Sequence, residues 1–120
     1  MKSILALNTG NTKFEIELLG RLFDDVRAML GCYKGQKENR YLITYVETSD
    51  GSMRAEEWIK LLAKSFNQES VLFIDDNRTA MLHRTKEDIY VALGKWQKNT
   101  GALPDCWTQD KQTKVYYVCK

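Results

Sequence analysis

One stretch in the middle of the chain narrows the available folds more than any other. Val71-Leu72-Phe73-Ile74 is an unbroken apolar run, and it meets the turn formers Asp75-Asp76-Asn77. A second run, Thr79-Ala80-Met81-Leu82, follows at once. Asp and Asn tolerate left-handed backbone angles and bond their own main chain, so the stretch from Gln68 to His83 is expected to be a tight β-hairpin. Such a pair of adjacent core strands needs cover, expected from helices packed on one face.

The chain before the hairpin offers candidates for that cover. Ser3 to Leu7 reads as a short strand, and Asn8-Thr9-Gly10-Asn11 as a turn. Thr12-Lys13-Phe14-Glu15 has the form of a capping box. Leu18, Leu19, Leu22, Phe23, Val26, Met29 and Leu30 then recur at helical spacing, with Arg21, Asp24, Asp25 and Arg27 on the other side and Gly31 as the stop. Cys32 to Asn39 reads as a polar loop around Gly35. Tyr41 to Val46 is rich in aromatic and β-branched residues, which favours a strand. Ser49-Asp50-Gly51-Ser52 breaks that strand and offers an N-cap. Ala55, Trp58, Ile59, Leu62, Ala63 and Phe66 mark a second amphipathic helix.

After the hairpin the pattern is β-prone. Ile89 to Trp96 is read as a strand, because Ile89, Tyr90 and Val91 prefer one and Gly94 would weaken a helix. Thr85-Lys86-Glu87-Asp88 leaves a capped third helix as the alternative. Two short runs close the chain, the second being Val115 to Val118. The expected order is β-α-β-α-β-β-β-β. That implies one α+β domain over residues 1–120, a largely antiparallel sheet with two amphipathic helices packed on one face.

A chain of 120 residues has room for one such core and little more. Cys32, Cys106 and Cys119 are an odd number at scattered spacing, which argues against a disulfide framework and for a reducing, cytoplasmic home. No stretch approaches a membrane span, and the N-terminal apolar run is too short for a signal peptide. The net charge of +2 does not announce a polyanion binder. The charge is uneven, however: Tyr41 to Asn77 holds seven acidic and three basic residues, and Arg78 onward eight basic and four acidic.

Thr9-Gly10-Asn11-Thr12 lies between an expected strand and an expected helix. Such a loop would aim backbone amides and hydroxyls at a phosphate, helped by the partial positive charge of a helix N-terminus. It resembles the phosphate loop of flavodoxin-like proteins, where T-G-N-T follows the first strand. The remainder departs from that pattern, with no further β-α alternation and no aromatic pair placed for a flavin ring. No cofactor is therefore expected, and a turn with a capping threonine is the plainer reading.

His83, the only histidine, would serve as an acid or base near neutral pH if a carboxylate or nucleophile came close in space. On a hairpin it reads more simply as a bystander. Asp75-Asp76 lacks the spaced ligand series of a cation cage and reads as a turn. Three unpaired cysteines and one histidine do not make a zinc site by spacing. No catalytic residue and no metal ligand is assigned.

The tail is basic and aromatic: Lys95, Trp96, Lys98, Trp107, Lys114, Tyr116 and Tyr117 lie on or near the last strands. Aromatic platforms with interleaved cations bind single-stranded nucleic acid or anchor a protein partner. Strand alternation turns Trp96 and one of the two tyrosines toward the core.

Gly31-Cys32-Tyr33-Lys34-Gly35, Glu38 to Ile43, Asn67 to Leu72 and Leu93-Gly94-Lys95-Trp96 resemble blocks in small orphan proteins of bacteriophage genomes. The resemblance implies an intracellular accessory protein acting on a host macromolecule, and it assigns no functional residue. The leading expectation is a non-enzymatic binding protein or inhibitor with a protein partner. The alternatives are a nucleotide or phosphate-ligand binder through Thr9 to Thr12, and a single-strand nucleic-acid binder through the tail.

Overall fold

The computed structural model describes residues 2–7, 23, 25–45, 55–65 and 68–120. In chain order its elements are β1 (Lys2–Leu7), β2 (Asp25–Tyr33), β3 (Gln36–Tyr45), α1 (Ala55–Ser65), β4 (Ser70–Ile74), β5 (Thr79–Arg84), β6 (Ile89–Lys98), β7 (Cys106–Asp110) and β8 (Tyr116–Cys119). Every ladder is antiparallel, in the spatial order β1-β3-β2-β7-β8-β6-β5-β4, and β4 pairs back onto β1 to close a barrel. The closure is uneven. β6 meets β8 through three residue pairs, Trp96 with Cys119 to Lys98 with Tyr117, so the first half of β6 has no ladder on that side among the described residues.

This corrects the expected architecture. The fold is mostly sheet, with one helix among the described residues rather than two helices on the face of an α+β sheet. The departure lies in β2, where the helical spacing from Leu18 to Leu30 pointed to a helix ending at Gly31. Residues 25–33 instead form a strand bonded to β3 on one side and β7 on the other. Two ladders outweigh a local periodicity, because strand preference is set by the neighbours a side chain packs on. The expected loop around Gly35 is a two-residue turn joining β2 to β3, with Lys34 at φ 48° and Gly35 at φ 83°. Positive φ at both central residues matches the twist of the flanking strands, and glycine takes that geometry without a steric penalty.

The central hairpin forms as the residues suggested. Leu72 sits opposite Leu82, and Ile74 opposite Ala80. Asp75 closes the turn, its Oδ1 accepting from the amides of Asn77 and Thr79, both at 2.9 Å. All four residues Val71 to Ile74 are buried, because β4 is covered on both faces. On the outer face Val71 and Phe73 pack with Tyr41, Ile43, Phe23 and, from α1, Ile59 and Ala63. On the inner face Leu72 and Ile74 pack with Met29, Ala80 and Trp96. A strand buried on both sides is apolar without alternation.

Helix α1 is amphipathic for the same reason. Ile59 and Ala63 face the sheet, Glu56 and Glu57 occupy the first turn and Lys64 the last, complementing the helix dipole. Strand β6 continues from the four-residue turn 85–88, where Asp88 has φ 51° and its amide donates to the Arg84 carbonyl at 2.9 Å. The strand reading of residues 89–96 is therefore the one realised.

Candidate functional site

The outer face of β5 carries Met81 and His83, and the turn that follows brings the chain back so that Tyr90 lies opposite His83. His83 is 3% exposed. Its Nε2 lies 2.7 Å from Oδ1 of Asp88, whose side chain is 80% exposed. The hydrogen bond with His83 is the main reason the Asp88 carboxyl is held below its ordinary range, and nearby Lys60 and Lys64 act in the same direction. An ionised carboxylate accepts only, so the imidazole proton sits on Nε2. Nδ1 is buried with no hydrogen-bond partner, as is Oγ1 of Thr85.

Tyr90 gathers the remaining groups. Its ring centroid is 4.8 Å from that of His83 and 6.2 Å from that of Phe73. Lys60, reaching across from α1, places Nζ 4.7 Å from the same ring centroid. Its hydrogen bond with Tyr90 raises the Lys60 ammonium above its ordinary value, with burial opposing. One turn earlier on the helix, Glu56 accepts from the Tyr45 hydroxyl at 3.3 Å. At the end of β4 the ladder extends by one bond, from the Thr85 amide to the Glu69 carbonyl at 3.0 Å, which brings Glu69 to the same end of the sheet. The result is an aromatic patch with one cation, one anchored imidazole and buried polar atoms lacking partners. Such a patch suits a small cationic or zwitterionic ligand with an aromatic portion.

Of the residues singled out by sequence, His83 is the one this cluster uses. It is buried and paired with Asp88, not on the surface. Thr9, Gly10, Asn11 and Thr12 lie outside the described residues. Asp75 and Asp76 are at the opposite end of β5. The seven tail residues do not share a face. Trp96 is in the barrel interior, stacked on Tyr117 at 5.2 Å and 7°. Trp107 and Tyr116 meet edge-to-face at 5.0 Å on the other side. Lys95 donates to the Asn77 carbonyl and to Oγ1 of Thr79. Lys98 and Lys114 are exposed, the latter in the turn before β8. Cys32 stands in β2 and not after a helix, and all three cysteines are free thiols. No group of three or more His, Cys, Asp or Glu side chains among the described residues is placed to hold a metal ion. No helix among them is long and apolar enough to cross a membrane.

Lys60, Asp88 and Tyr90 were not legible as a group. The available signal was the five-residue step from His83 to Asp88 around a short turn, which puts an acid within reach of the imidazole.

A family model described as the S-Adenosylmethionine lyase family matches residues 6–120. The chain belongs to this family. The match spans nearly all of the sequence and the whole set of elements from β2 to β8, including the Lys60–Tyr90–His83 cluster. No curated protein is matched by the chain. Membership overturns the expectation of a non-enzymatic binding protein or inhibitor, since the family is one of enzymes. The lack of a familiar catalytic motif is what favoured a binding protein over an enzyme. A lyase whose substrate carries its own leaving group has little need of such a motif.

Proposed function

We propose that this chain cleaves S-adenosylmethionine as a lyase, breaking a carbon–sulfur bond without adding water. The observation that carries the reading is the family match over residues 6–120. The activated centre of that substrate is its sulfonium. When a C–S bond breaks, sulfur keeps the electron pair and leaves as a neutral thioether. The electrons that replace the lost bond at carbon come from within the substrate, either from its own carboxylate oxygen or from a neighbouring C–H bond whose proton is released. No oxidant, metal or covalent enzyme intermediate is required.

The cluster on β5, β6 and α1 supplies what such a step needs. Positive charge on sulfur disappears in the transition state. A cation nearby therefore destabilises the bound substrate more than the transition state, and that difference lowers the barrier. Lys60 is that cation. The rings of Tyr90, Phe73 and His83 pack on one another beside that cation and hold the cluster in shape. A cytoplasmic location, expected from cysteine usage, is kept with this reading, because the substrate is an intracellular metabolite.

The test is turnover. Purified protein incubated with S-adenosylmethionine is expected to consume it and release an adenosyl thioether, while S-adenosylhomocysteine, which lacks the sulfonium, remains intact. Cleavage of both, or of neither, would remove the reading.

A further inference from the structure

The second ring nitrogen of His83 is the least explained polar atom in the cluster. Asp88 fixes the imidazole through Nε2 at 2.7 Å, and in the neutral ring that contact leaves Nδ1 as the acceptor. That acceptor is buried with no donor. Burying a polar group without a partner is costly, so folded proteins seldom keep one without a use. What Nδ1 lacks is an N–H or O–H.

Its surroundings say which donor fits. The imidazole touches the Tyr90 ring at 4.8 Å, and Lys60 Nζ lies 4.7 Å from the same ring. An acceptor and a cation thus flank one aromatic side chain. An α-amino acid carries the complementary pair on a single carbon: an ammonium that donates and a carboxylate that accepts. The Tyr90 residue, 44% exposed, is the outermost of the three and the one a ligand meets first.

We propose that Lys60, Tyr90 and His83 form the subsite for the amino-acid end of the sulfonium substrate, Lys60 holding its carboxylate and His83 Nδ1 accepting from its ammonium. The assignment rests on the lyase reading above. Asp88 is a positioning residue in this arrangement: its contact with Nε2 selects the tautomer of the neutral ring that leaves Nδ1 as the acceptor, and it sets the ring plane. Lys60 then has two effects at once. It orients the carboxylate, and its field opposes the sulfonium a few bonds away.

Two uncleavable probes separate this subsite from the rest of the ligand. S-Adenosylhomocysteine retains the amino-acid end, and 5′-methylthioadenosine lacks it. Calorimetric titration of the full chain with each probe is done for wild type, Lys60→Met and His83→Gln, with melting temperature as the check on folding. The Gln amide replaces Nε2 against Asp88 but leaves no acceptor at the Nδ1 position, while His83→Asn restores an oxygen near it. Both Lys60→Met and His83→Gln are expected to weaken S-adenosylhomocysteine by about tenfold or more, the scale of a lost charge-assisted hydrogen bond. Neither should change 5′-methylthioadenosine by more than about twofold, a shift well inside that scale, and His83→Asn should recover part of the loss. Equal weakening of both probes, or no weakening of the first, would overturn the subsite while wild-type turnover still upheld the lyase. A wild type that neither binds S-adenosylhomocysteine nor consumes S-adenosylmethionine would overturn both.

Discussion

The Arg40 side chain crosses the space directly over Gly31, so that a Cβ on residue 31 would run into its Nε and Cζ. Arg40 is held there by Oε1 of Glu38, to which Nε donates at 3.0 Å, and by Oγ1 of Thr108, to which Nη1 donates at 2.8 Å. The guanidinium therefore ties β3 to β7 across β2, and the missing side chain on β2 is what lets it pass.

Gly31→Ala is expected to destabilise the protein by about 1–3 kcal/mol, the usual range for forcing extra volume into a packed site. The side chain that would have to yield is pinned at both ends, so relaxation breaks existing bonds. Urea denaturation measures this. A midpoint equal to wild type would mean that Arg40 has another place to go.

Trp96 and Trp58 make a contrasting pair. Trp96 is 7% exposed and stacked on Tyr117 inside the barrel, whereas Trp58 is 37% exposed on α1. Trp96→Ala should cost about 3–5 kcal/mol, as large-to-small changes at aromatic core positions do. Trp58→Ala should cost well under half of that. The same comparison decides whether the tail aromatics serve the core or a partner, since a surface anchor would not lower the melting temperature.

The His83–Asp88 contact predicts a pH dependence with a definite sign. The folded protein holds the Asp88 carboxyl below its ordinary value of 3.8. A carboxyl depressed on folding contributes stability above its unfolded value, and loses it as the pH falls through the folded one. The stability difference between wild type and Asp88→Asn should thus shrink as the pH falls below about 4, the ordinary range for an aspartate. Asn also tolerates the positive φ at this position. A difference that persisted undiminished in that acid range would contradict the pairing.

Which parts of the fold were legible follows from how locally each was determined. The β4–β5 hairpin declared itself because its turn residues and both apolar runs are contiguous, and Asp75 makes the turn from within. Helix α1 declared itself because it is buried on one face only, so Ile59 and Ala63 recur at the helical period. Residues 25–33 misled because Val26, Met29 and Leu30 fit a helical spacing as well as a strand that packs Val26 on one face and Met29 on the other. What settles them as β2 is pairing with β3 and with β7, and the latter lies some 80 positions along the chain. The candidate site shows the same division. His83 was visible, while its partners arrive from a turn, from the facing strand and from a helix.

Alkaline pH offers a separate check on Lys60. Its ammonium is raised above 10.5 chiefly by Tyr90. A cation raised on folding contributes stability below its unfolded value and loses it as the pH climbs through the folded one. Lys60→Met should therefore be less stable than wild type at neutral pH, with the gap narrowing above about pH 10.5. Thermal melts across that window measure it, and a gap independent of pH would mean that the charge plays no part.

The central claim is that this chain breaks a carbon–sulfur bond of S-adenosylmethionine without water. Turnover in ¹⁸O-labelled water, quenched early and read by mass spectrometry, tests it most directly. The account predicts an adenosyl thioether in step with substrate loss, and no ¹⁸O in the other fragment as first formed. Label in that fragment from the earliest time point, or substrate that persists unchanged, would contradict it.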